Sequence, residues 1–313
     1  MSAVTTSQSL ERTRARTLSG HARLRKWLGG SFSPYLFVAP FFIIFTAFSL
    51  YPLFYALWLS FTSWHGDGAP HFIGLGNYTF LLTDNFFWMS LGNSAVIWLL
   101  IVPLQTVFAV LIASLLSRST LRFRWFFRTA FLTTFIVPLV AVALIWQVLF
   151  DQDFGAVNAF LQILHIPAVG WLTTATWAKP TIALLVLWKS SGFAILLMLA
   201  GIQGISPEYY EAAALDGASS FQQFWRITIP LLRRTISFFM VTSTLGIIQM
   251  FVEPYVLTGG GPYNSTTTAG FRLLSFINNS DFGTGAANSF LLMIIMFIIS
   301  LVMLRLLRSG EEY

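Results

Sequence analysis

The chain contains no cysteine, which excludes a disulfide framework, thiolate catalysis and Cys-ligated zinc or iron–sulfur centres. Charge is scarce too: 10% of the 313 residues are Asp, Glu, Lys or Arg, against about 25% in soluble domains. None of the four histidines falls inside a long apolar run, since His21 is near the start, His65 and His71 share one polar connection and His165 lies in another. A metal-ligating or acid–base His within the apolar segments is thereby excluded, and no other metal site is expected. With 56% apolar residues and a mean hydropathy of +0.72, too few polar groups remain to solvate a globule of this size, so most of the chain must meet lipid. The same composition excludes disorder, a coiled coil and a nucleic-acid module, despite a net charge of +6.

What is present is a series of apolar runs. Six are long enough to cross a bilayer as helices: Tyr35 to Ser60, Leu91 to Leu116, Phe126 to Phe150, Thr181 to Ile202, Ile236 to Leu257 and Ala286 to Leu307. The pattern predicts an all-α integral membrane protein. Pro40, Pro52, Pro103, Pro138 and Pro254 fall inside or near the ends of these runs and are read as kinks, tolerated where neighbouring helices re-satisfy freed carbonyls.

The basic residues give the orientation. Arg12, Arg14, Arg16, Arg23, Arg25 and Lys26 precede the first run; Arg118, Arg122, Arg124 and Arg128 follow the second; Arg226, Arg233 and Arg234 follow the fourth; Arg305 and Arg308 end the sixth. Fifteen of the 18 basic residues thus lie on one side, expected to be cytoplasmic with both termini. The other side carries Lys179 and Arg272 against Asp67, Asp84, Asp151, Asp153 and Asp281. Residues 1–33 are a basic tail without the short apolar core of a cleavable signal, residues 34–308 the membrane domain and residues 309–313 a short C-terminus. The tail could bind anionic lipid or read nucleic acid, but topology and lipid account for its charge.

The polar stretch over 203–232 is the most informative. Ser206 is a good N-cap, Pro207 a good first helical residue, and Glu208 and Glu211 complement the helix dipole. Ala212, Ala213 and Ala214 sustain a helix, Gly217 can end it in the left-handed conformation, and Ser219 can cap a second helix carrying Phe221, Phe224 and Trp225. A helix–turn–helix lying along the cytoplasmic side of the membrane is expected. Gly259-Gly260-Gly261-Pro262 is no phosphate loop, because the Gly-Lys-Ser/Thr ending is missing. Ser190-Ser191-Gly192 has no membrane His to activate a serine, so no catalytic residue is expected and the chain is read as no enzyme.

Glu211-Ala212-Ala213, three residues, Gly217, nine residues and Ile227-Thr228-Ile229-Pro230 resemble the E-A-A-x3-G-x9-I-x-L-P motif of permease subunits in binding-protein-dependent ABC importers, with Ile229 as the one departure. Phe72-Ile73-Gly74-Leu75-Gly76-Asn77-Tyr78, Asp153-Phe154-Gly155, and Leu257-Thr258-Gly259-Gly260-Gly261-Pro262 with Asn264-Ser265-Thr266-Thr267-Thr268 extend the resemblance to the carbohydrate branch. It implies a six-span permease with a cytoplasmic coupling helix, paired with a second permease, two ATPase subunits that bind ATP and magnesium, and an external solute-binding protein. Glu208, Glu211, Ala212, Ala213, Asp216, Gly217, Ile227 and Pro230 would form the coupling surface. The chain itself would carry no cofactor and bind no nucleic acid, its cargo a small-molecule sugar, di- or oligosaccharide in size. The seat would be the cytoplasmic membrane of a prokaryote. Glycerol phosphates or another polar solute remain the alternative cargo.

Two charges lie inside the runs, Lys189 and Glu253, and each costs about 2.5–3.5 kcal/mol near a helix centre, so neither is expected to face lipid. They either pair or snorkel, or they line a polar cavity with Trp188 or Phe193 stacking on a sugar ring. By resemblance, Lys189, Ser190 and Phe193 of the fourth span and Ser243, Ile247, Gln249 and Met250 of the fifth would contact substrate. Ser243, Ile247 and Met250 stand at i, i+4, i+7, with Gln249 and Glu253 on an adjacent line.

Overall fold

The computed structural model describes residues 33–117 and 122–308. The basic residues expected in the tail, Arg118 and the C-terminal residues 309–313 lie outside them. The described residues form two units divided at Trp58 and Leu59.

The first unit is a single apolar rod. Helix α1 (Ser33–Phe45) passes through a π turn (Thr46–Leu50) into α2 (Tyr51–Leu59). The wide turn falls just before Pro52, which has no N–H and whose ring would strike the carbonyl four residues back. Its apolar side chains are exposed around the whole circumference: Phe37, Phe48, Tyr51 and Phe54 are all more than 60% accessible, as lipid contact requires.

In the second unit a short hairpin, β1 (Thr62–Ser63) with β2 (His71–Phe72), precedes α3 (Gly76–Thr83). Then come α4 (Asn85–Ser117), α5 (Arg124–Ile136), α6 (Leu139–Leu149), α7 (Ala156–Ile163), α8 (Ala175–Gln203), α9 (Pro207–Leu215) and α10 (Ser220–Gln223). A second π turn (Phe224–Thr228), again just ahead of a proline, Pro230, leads into α11 (Ile229–Ile248), followed by α12 (Val252–Thr258), α13 (Ala269–Asn278) and α14 (Phe282–Arg308). Helices α4 and α8 form the central pair, with α5 and α11 against them. One half of their core joins Ile97, Ile101 and Val102 to Ile182 and Leu185, the other Ala109, Val110 and Ala113 to Ala194, Ile195, Met198, Leu232 and Phe239. Close approach needs small residues, as in membrane helix pairs. A Cβ on Gly192 of α8 would sit 2.0 Å from the Phe131 carbonyl oxygen of α5, and one on Gly201 would sit 2.6 Å from Leu232.

Long apolar helices occur at Tyr35–Leu59, Asn85–Ser117, Ala175–Gln203, Ser220–Ile248 and Phe282–Leu306. Four of the six expected runs correspond to one helix each with ends shifted by a few residues. The third is different: α5 and α6 meet at 94° across Val137 and Pro138, so the kink expected at Pro138 is a right-angle elbow. The fifth begins sixteen residues earlier than its apolar run, because the second helix of the polar loop continues through the π turn into the span without a break. It also ends earlier, at Ile248, and Glu253 falls in the first turn of a separate helix. Pro254 therefore stands near a helix start, where the missing N–H costs nothing, and is not a kink within a span.

Candidate functional site

The polar loop folds as a capped lever. The Ser206 side chain accepts the Glu208 N–H at 3.4 Å, and Pro207 occupies the first helical position of α9. The helix closes with a pair of reversed bonds, Ala218 N–H to the Ala213 carbonyl at 2.8 Å and Gly217 N–H to the Ala214 carbonyl at 3.0 Å, with Gly217 at φ +80°. Ser219 and Gln222 then form a reciprocal capping box for α10. Glu208, Glu211, Ala212, Asp216 and Gly217 are exposed and Ala213 is half-buried. Leu215 is 90% accessible at the tip, an exposed apolar side chain at a position that the motif leaves unspecified. Ile227 and Pro230, the far end of the motif, lie at the foot of the fifth span, where Tyr210 of α9 meets Thr228 at 3.0 Å between hydroxyls. Ser114, Ser117, Gln203, Tyr210, Gln223 and Thr228 share a cavity of about 600 Å³ between this loop and the ends of α4 and α8.

The expected substrate contacts do not share one surface. Lys189 donates its ammonium to the Phe135 carbonyl at 2.5 Å, and Phe193 stacks on Phe135 with ring centroids 5.4 Å apart. Ser190 donates to Val186 of its own helix at 2.7 Å. The helical line expected through Ser243, Ile247 and Met250 stops at the break after Ile248, and Ile247 and Met250 turn into the apolar core with Ile97 and Ile182. The break likewise ends the Gln249–Glu253 line. Gln249 is exposed, with its amide 3.2 Å from the Met296 sulfur, and Ser243 and Glu253 are half-buried. Glu253 lies within electrostatic reach of Lys189 without a direct ion pair.

The opposite end of the bundle is held by asparagines, of which only Asn77 belongs to one of the sequence motifs. Asn93 of α4 donates to the carbonyls of Asn264 and Thr267, both at 2.9 Å, and Ser94 accepts the Ala269 N–H at 3.0 Å. Asn77 of α3 donates to Ser60 and Thr62 and accepts from Thr284 of α14. Asn158 of α7 donates to Gln152 and Val169 and accepts from the Trp171 indole. Thr268 caps α13 and donates to the Met250 carbonyl, closing the break after the fifth span. Arg272 of α13 is buried, ion-paired to Asp84 and sandwiched by Phe86 and Phe276 at 4.6 and 5.2 Å.

Long apolar helices with lipid-type exposure, joined by a capped polar loop, define a multi-pass membrane protein. Residues 105–309 match the family described as binding-protein-dependent transport system inner membrane component, and the chain belongs to that family. It is 33% identical over 297 residues to the sulfoquinovosyl glycerol transport system permease of Agrobacterium fabrum, covering 92% of this chain and 95% of that one. To the lactose transport system permease of Rhizobium radiobacter it is 34% identical over 272 residues, 85% of this chain and 91% of that one. The fold matches, with a TM-score of 0.79 and 22% identity, a chain of a bacterial alginate ABC transporter solved with its alginate pentasaccharide-bound periplasmic protein, covering 93% of this chain and 99% of that one.

Proposed function

We propose that this chain forms half of the membrane pathway of an ATP-driven sugar importer in a prokaryotic cytoplasmic membrane, with both termini inside. The observation that carries the reading is the capped α9 lever, continuous through Gly217 and α10 with the fifth span, in a chain whose family serves binding-protein-dependent transport. Relatives named for sulfoquinovosyl glycerol and lactose support a glycoside cargo, and lactose a disaccharide one. A second permease completes the pathway, two ATPase subunits bind ATP and magnesium and receive α9 through Glu208, Glu211, Ala212, Ala213 and Leu215, and an external binding protein delivers sugar to the asparagine-clasped end. ATP binding draws the ATPases together and rocks the bundles outward; hydrolysis resets them. This chain performs no bond chemistry.

The proposed sugar contacts are Gln249, exposed at the break after the fifth span, and the half-buried Ser243 and Glu253 on either side of that break. A carboxylate and an amide accept and donate to vicinal hydroxyls, and each such bond contributes about 1 kcal/mol, more for the charged group. The test is ATPase stimulation of the reconstituted complex by its binding protein with a panel of glycosides and glycerol phosphates. Stimulation by glycosides is expected, and stimulation by glycerol phosphates alone would overturn the sugar assignment.

A further inference from the structure

The elbow in the third span creates a local problem in hydrogen bonding. Val137 is extended at φ −60°, ψ 136°, and Pro138 has no N–H, so the carbonyls in the last turn of α5 have no helical donor ahead of them. One of those carbonyls, that of Phe135, accepts the Lys189 ammonium at 2.5 Å. A cation at a helix C-terminus complements both the free carbonyl and the dipole. The same ammonium sits 5.3 Å from the centre of the Phe135 ring. That ring in turn stacks on Phe193, one helical turn further along α8. Gly192, between them, lets the α5 backbone approach to a distance that a Cβ would forbid.

The second limb is gripped from the same stretch of α8. Trp188 packs on Trp146 of α6 with ring centroids 6.1 Å apart, and Trp146 stacks on Phe150 at 5.0 Å. One six-residue segment of the fourth span therefore touches both sides of the elbow. We propose that Trp188, Lys189 and Phe193 form a clamp that fixes the elbow of the third span, with Lys189 a positioning residue that caps α5. The Trp-Lys and Phe signature that suggests a sugar-stacking platform thus serves the shape of the pathway wall. Loss of the clamp frees the two limbs and lowers the rate of the transport cycle without altering how sugar is bound.

The test uses the assembled importer in lipid nanodiscs. The chain has no native cysteine, and Thr133 and Leu144 are exposed, one on each limb, so a Thr133→Cys/Leu144→Cys pair takes spin labels on this subunit at the two chosen sites. With partner cysteines absent or replaced, the inter-label distance without sugar is expected to be one narrow peak. Lys189→Met should broaden it, and Lys189→Arg, which keeps a charged donor, should restore it. Uptake turnover should fall in Lys189→Met and recover in Lys189→Arg, with the half-saturating concentration of sugar-loaded binding protein unchanged. An unbroadened peak in Lys189→Met, or a raised half-saturating concentration at unchanged turnover, overturns the clamp. Phe193→Leu leaves the charge in place and removes the stack, which gives a second measurement if Lys189→Met does not assemble; a narrow peak there also overturns the proposal. The distance measurement needs no substrate, so its outcome is independent of which solute is carried.

Discussion

The hydroxyl of Tyr210 lies 3.0 Å from that of Thr228, joining the middle of α9 to the foot of the fifth span by side chains as well as by the chain itself. Thr228 is buried and Tyr210 half-buried, and both line the cavity beneath the polar loop. Tyr210→Phe is expected to weaken this joint by about 0.5–1.5 kcal/mol. ATPase subunits should still co-purify, while the ratio of sugar imported to ATP hydrolysed falls. An unchanged ratio would show that the chain connection alone transmits the motion.

Gly217 is constrained by its backbone angle and not by space, since a Cβ there meets nothing within 4 Å. Gly217→Val should cost about 1–2 kcal/mol by forcing a β-branched residue to φ +80°. Reduced recovery of the ATPase subunits with otherwise normal membrane insertion is the expected readout. Equal recovery would remove the left-handed turn from the docking geometry.

At Gly192 the constraint is reversed, with ordinary helical backbone and a carbonyl oxygen 2.0 Å from where an added methyl would sit. Gly192→Ala should push α5 from α8 and lower thermal stability by about 1–3 kcal/mol, the range for overpacking. Gly246→Ala, where the added methyl meets nothing within 4 Å, is the control and should leave the melting temperature close to its original value.

Asn93→Ala leaves the Asn264 and Thr267 carbonyls without their donor, at about 1–3 kcal/mol for the buried Thr267 carbonyl and less for exposed Asn264. The 259–268 loop should then become protease-sensitive, with ATPase docking at the other end unaffected. Resistance equal to that of the original protein would mean that the threonine bonds within the loop suffice.

The orientation is checked with single cysteines at exposed positions. Tyr263→Cys and Ala168→Cys should react with an impermeant maleimide added to intact cells, and Ala214→Cys only after lysis. The reverse pattern would overturn the inside assignment of the basic loops.

Much of the fold was legible because lipid imposes a simple rule, that a long apolar run must close its own hydrogen bonds as a helix. The caps at Ser206 and Ser219 and the turn at Gly217 were legible for a local reason, since each bond spans a few residues. The elbow was not, because the stretch from Phe126 to Phe150 is mostly apolar on both sides of Pro138 and a proline in a membrane helix can be absorbed by a mild kink; its angle depends on Lys189, more than fifty residues away. The early start of the fifth span was hidden by Ser220, Gln222, Gln223 and Arg226, polar residues that precede the apolar run while the helix is already under way. Ile247 and Met250 were placed on a substrate face by resemblance, and the helical line that supported it is interrupted by the break at Gln249. The asparagine clasps escaped notice for want of a local pattern: the acceptors of Asn93 are backbone carbonyls some 170 residues distant.

The unbroken helix from Ser220 to Ile248 has a mechanical meaning. Twenty-nine residues at about 1.5 Å each make a rod of roughly 43 Å that runs on through the π turn ahead of Pro230. A rotation of roughly 15°, comparable to known rigid-body switches, would sweep its far tip through roughly 11 Å. A displacement applied at the capping box therefore arrives at Gln249 as leverage, magnified by geometry, and no relay of side-chain rearrangements is needed along the way.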